Sequence, residues 1–159
     1  MAKIDKATLK QIEYHLAAKN YVDYVQLVHD GLWLKSRFGR FLCDEIQAFV
    51  EADTGHSYDI LIVNVPPQTG KSMTLTSTLP SWYLGKNPFG KVIELSYNTD
   101  YARQFGRQNR EKIREFGDKV FGIKVASRPS GELTFELENH VGGMISRGVD
   151  AGVTGRGCT

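Results

Sequence analysis

The triplet Gly70-Lys71-Ser72, set directly behind the apolar run Ile60-Leu61-Ile62-Val63-Asn64-Val65, constrains this chain more than any other feature. The pattern reads as a buried strand that turns sharply into a helix. At such a helix start the first N–H groups have no intrahelical acceptors, and the helix end carries partial positive charge, so phosphate is attracted. Gly70 lets backbone approach a ligand, Lys71 places an ammonium on outer phosphates, and Ser72 offers a hydroxyl to magnesium. These residue types in this order point to a nucleoside triphosphate site.

The general phosphate-loop pattern has a glycine where this chain has Val65, followed here by Pro66-Pro67. Neither proline has an N–H. The amide cradle must then come from Gln68, Thr69, Gly70, Lys71, Ser72 and Met73, and Val65 is held extended because it precedes a proline. A strand-turn-helix without ligand is the plainer alternative.

Length and composition allow one ordinary domain: 159 residues, 41% hydrophobic, 24% charged, net charge +2. That balance excludes a uniformly basic nucleic-acid coat and leaves local patches open. No apolar run reaches bilayer length, and Met1-Ala2-Lys3-Ile4-Asp5-Lys6 lacks the apolar core of a signal peptide, so the expectation is no membrane and an intracellular location. Cys43 and Cys158 form no C-x-x-C pair, and the four histidines stand singly, so neither a disulfide framework nor a zinc site is indicated.

Periodicity places helices first. Ile12 and Leu16 share a face within Lys6 to Lys19, and Phe41, Leu42, Ile46, Phe49 and Val50 share one in a second stretch ending near Gly55. Residues 1–55 thus read as a helical lead-in, packed on a nucleotide domain over 56–159. Behind the loop, Ser72 to Leu84 reads as one helix disturbed at Pro80, and Lys91 to Tyr97 as a strand, which completes a βαβ unit and an α/β fold. A helix from about Thr99 to Phe116 turns Ala102, Phe105, Ile113 and Phe116 inward and aligns Arg103, Arg107, Arg110 and Arg114 on one face. A solvated face is the main reading of that stripe, with DNA-backbone contact and subunit packing beside it. Leu133, Phe135 and Leu137 alternate with polar residues ahead of an Asn139-His140 turn, so a C-terminal β-hairpin is expected, its second strand over Gly143 to Ser146. The glycine-rich run from Gly142 to Gly157, taken alone, reads as a surface loop.

Four motifs together carry a further reading: Leu61 to Ser72; Trp82-Tyr83-Leu84-Gly85-Lys86-Asn87-Pro88; Ser96-Tyr97-Asn98; and Gly152-Val153-Thr154-Gly155-Arg156-Gly157. In order and spacing they closely resemble the large terminase subunit of tailed bacteriophages, and Phe41-Leu42-Cys43-Asp44 and Gln47 extend the likeness toward the N-terminus. The resemblance implies a RecA-like P-loop NTPase core, a parallel sheet with flanking helices, that binds ATP and Mg2+. It also implies a motor whose hydrolysis drives double-stranded DNA into an empty capsid and whose separate nuclease domain cuts that DNA. Its implied partners are the portal protein, the small terminase subunit and further copies in a homo-oligomeric ring. Its implied place is the host cytoplasm, transiently at the procapsid portal. Gln68 and Thr69 stand where the family often has arginine and histidine, which removes a loop arginine acting in cis.

The family's acidic magnesium motif would begin just after Gly157, and no other segment supplies one: Glu94 lies inside a strand, and Glu136 and Glu138 belong to an amphipathic one. The chain is therefore expected to be a truncated part of the ATPase domain, binding nucleotide with little turnover. Lys71 and Arg156 are the candidate catalytic residues, Arg156 as an arginine finger acting on a neighbouring subunit's ATP, with Arg147 the runner-up. Another P-loop nucleic-acid motor such as a helicase, or a noncatalytic nucleotide-binding assembly module, are the alternatives.

Overall fold

The computed structural model describes residues 5–127, 131 and 133–149, and Arg156 with the glycine-rich motif around it lies outside them. The chain divides into two compact units, residues 1–74 and 75–159.

In the first unit Asp5 caps α1 (Lys6–Lys19) through a 2.7 Å bond from the Thr8 N–H, and Ser36 caps α3 (Arg37–Glu51) through a 2.9 Å bond from the Gly39 N–H. Asn20 separates α1 from α2 (Tyr21–His29). Its extended backbone leaves Tyr21 N–H at the start of α2, and Gln47 of α3 accepts that bond at 2.7 Å while its amide donates to Lys19 O at 3.0 Å. One side chain thus joins the three helices. Tyr21, Tyr24, Val25, Trp33, Leu42, Cys43 and Ile46 are buried around it. The helices expected from the periodicity over Lys6 to Lys19 and around Phe41 to Val50 are present.

Residues 58–66 form no strand. Their β-branched side chains favour extended backbone, but a strand is completed only by a ladder partner, and none of the described residues supplies one. Ile60 and Ile62 are 73% and 83% exposed, so the expected buried strand ahead of the loop is absent. The helix behind the loop is also split, into α4 (Lys71–Thr74) and α5 (Leu79–Lys86) with turns between. Pro80 explains the break: it has no N–H to give Thr76 O, and its ring clashes with that carbonyl in a continuous helix. Thr76 O instead accepts from Asn109 Nδ2 at 2.9 Å, and Pro80 sits in the first turn of α5, where it is tolerated.

The second unit is α/β. β1 (Lys91–Ser96) pairs in parallel with β3 (Gly143–Gly148), Glu94 opposite Ser146, and β2 (Thr134–Glu136) pairs antiparallel with β3, Phe135 opposite Met144. The strand order β1-β3-β2 gives a small mixed sheet whose β2–β3 half is the expected hairpin. A parallel pair needs a crossover, and α6 (Thr99–Lys112), capped by Asn98, forms the first part of it. The helix then widens into a π-turn over Ile113–Gly117 and ends in α7 (Asp118–Phe121). Leu84, Ile113, Ile123, Phe135, Leu137 and Met144 form the core. No helix among the described residues is long and apolar enough to cross a membrane.

Candidate functional site

The loop after Pro67 is built by two residues in left-handed conformation, Gln68 at φ 61° and Gly70 at φ 84°. Between them the Thr69 hydroxyl donates to Pro66 O at 2.9 Å and closes the turn. Nothing lies within 4 Å of where a Gly70 side chain would begin. Glycine is therefore favoured there by backbone angle, while the space above it is open. Gln68 holds the same conformation with a side chain, at a cost of about 1 kcal/mol.

Lys71 and Ser72 follow as the first residues of α4, both exposed, and no described carboxylate pairs with Lys71. At the start of the helix Thr74 N–H donates to Gly70 O at 2.9 Å, and the N–H groups of Lys71 and Ser72 have no acceptor within it. With only four residues α4 has little dipole. Attraction for phosphate would come from these amides and the Lys71 charge.

The helix is fixed at its far end. Thr74 is buried; its carbonyl accepts from the Tyr21 hydroxyl, and its own hydroxyl accepts from Trp33 Nε1 at 3.1 Å. Burial holds the Tyr21 hydroxyl well above the usual phenol range, so it stays a donor. Tyr21 and Trp33 carry no motif signal.

Among the described residues no group of three or more His, Cys, Asp or Glu gathers into a metal site. Magnesium at this loop would rest on Ser72 Oγ and on oxygens of a bound phosphate, which fits an exposed hydroxyl beside an ammonium.

The arginine helix differs from its expected form. Ala102, Gly106 and Asn109 are buried, followed by Ile113, while Phe105 and Phe116 are only half-buried. Arg103 pairs with Asp100 at 2.7 Å and Arg114 with Glu111 at 2.8 Å; Arg110 Nε lies 3.8 Å from the Glu111 carboxylate. The π-turn begins just before Arg114. Local carboxylates thus meet most of the stripe, as on a solvated face. Arg147, on β3, is half-buried.

Asn109, absent from the expected core, is fully buried and bonds Thr76 O, Phe105 O and Ser81 N–H. Its signal was its place at helical spacing between Gly106 and Ile113. Among protein-family models, curated proteins and solved structures, none matches this chain.

Proposed function

We propose that the chain carries the P-loop of an ATP-driven DNA-packaging motor, as part of the ATPase domain of a protein like the phage terminase large subunit. The observation that carries the nucleotide reading is the open turn from Gln68 to Ser72, where two left-handed residues leave Lys71 and Ser72 exposed at the start of a helix. Order and spacing of the four sequence motifs support the terminase reading within the larger class of P-loop motors.

In this reading the amides from Gln68 to Met73 bind phosphate oxygens and Lys71 neutralises the outer phosphates. Ser72 Oγ is a ligand of the Mg2+ that accompanies ATP; when bound, that ion offsets charge on the phosphates. The parallel pairing of β1 and β3 across α6 supports a RecA-like core as the finer fold, and the bare apolar segment from Ile60 to Val65 has the composition of that core's strand. Arg156 is proposed as the arginine finger toward a neighbouring subunit. Double-stranded DNA, the portal protein, the small terminase subunit and a ring of like subunits are the proposed partners, at the procapsid portal in the host cytoplasm.

The magnesium contact gives a test. Magnesium should tighten ATP binding by the wild-type chain, and Ser72→Ala should lose that gain while keeping the metal-free affinity. Equal magnesium dependence in the two proteins would remove Ser72 from the site.

A further inference from the structure

Glu94 is the one acidic side chain among the buried polar residues of the described chain, 9% exposed, in the middle of β1. Its register partner on β3 is Ser146, whose hydroxyl donates to Glu94 Oε2 at 3.5 Å, the outer limit of a hydrogen bond. Glu94 Oε1 is buried without any partner. The layer above is closed: a side-chain carbon on Gly106 of α6 would lie 2.5 Å from Ser146 Oγ, so helix and strand touch through a glycine. A carboxylate in this position would hold a full charge, largely out of solvent, on one weak donor.

We propose that Glu94 is a proton-operated lock on the layer between the sheet and α6. Neutral, it fits beside Ser146 and lets Gly106 close on the strand. Ionised, it must reach water, which requires α6 to lift from β1 and β3, so the order of the helix that carries Arg103 and Arg107 depends on pH.

The groups around it do not rescue the charge. From β3 the facing polar group is Ser146. The arginines of α6 next in line, Arg103 and Arg110, are directed at Asp100 and Glu111, and Lys86 of α5 lies over the Trp82 ring at 5.0 Å. Burial accordingly pushes the Glu94 carboxyl from 4.5 to about 8, against a small lowering by the Ser146 hydroxyl. A carboxyl raised in the folded state holds its proton there while the open state has already lost it. Stability of the closed layer then falls as pH rises from about 4.5 to about 8 and levels off above. Lys112 acts in a different window: burial lowers it to about 8, so its effect runs from there to its ordinary 10.5, with the opposite sign.

Hydrogen exchange of the α6 amides in the full chain, normalised to intrinsic rates, tests this between pH 5 and 8. Protection in wild type should fall about tenfold per pH unit relative to Glu94→Gln, which keeps the shape and cannot ionise. A carboxyl-carbon NMR titration of wild type serves as a second readout that needs no variant, with a Glu94 midpoint expected near 8. A midpoint near 4.5, or equal pH dependence of α6 protection in the two proteins, would overturn the proposal.

Discussion

Replacing Asn109 with alanine removes the side chain that holds the segment behind Pro80 against α6. Its amide donates to Thr76 O at 2.9 Å and to Phe105 O at 3.0 Å, and its carbonyl accepts from Ser81 N–H at 3.1 Å. Phe105 O keeps its helical donor, so that loss costs little. Ser81 is fully buried and its N–H would lose this acceptor; Thr76 is half-buried and its carbonyl regains water in part. At about 0.5–1.5 kcal/mol for each of the two lost bonds, the sum is about 1–3 kcal/mol. Urea unfolding of wild type and Asn109→Ala, with equal slopes, should show that difference as a lower midpoint, and the Ser81 amide should exchange faster in the variant. A loss below about 1 kcal/mol with Ser81 still protected would refute the claim that Asn109 replaces the helix hydrogen bond that Pro80 forbids.

Two further outcomes follow from the same geometry. Burial, with Asp44 adding to it, pushes the Cys43 thiol up to about 12, so its alkylation at pH 8 should run about 10³-fold slower than that of a free cysteine and rise with pH; mass spectrometry of the Cys43 peptide reads this, and a rate like that of free cysteine would contradict the burial. Because Asp100 and Glu111 meet Arg103 and Arg114, the salt dependence of any DNA binding should be unchanged in an Arg103→Ala, Arg114→Ala double variant. A slope lower by about 0.9 for each lost phosphate contact would instead place that helix on the DNA backbone.

The helices and the hairpin were legible because their apolar residues repeat at the period of one element and find partners nearby. Phe135 and Leu137 alternate toward the core, and Phe135 pairs with Met144 of β3. The run from Ile60 to Val65 has the composition of a strand too, but composition does not provide a ladder partner. Pro80 was visible as a disturbance. Its full consequence, a broken helix whose Thr76 carbonyl is taken by Asn109, depends on a side chain 33 residues away in sequence. The site was legible as a motif from Gln68 to Met73, while the left-handed angle at Gln68 was not, since nothing in a glutamine announces it. Glu94 looked like an ordinary strand residue because the closeness that isolates it comes from Gly106, a position on a different element.

The central claim is a triphosphate site at Gly70-Lys71-Ser72, and calorimetric titration of ATP-Mg into the chain and its Lys71→Ala variant tests it most directly. Loss of a charge-assisted contact of about 1.5–3 kcal/mol predicts saturable binding by wild type, weakened about 10- to 100-fold or more in the variant. No binding by wild type, or equal binding by both, would contradict the account.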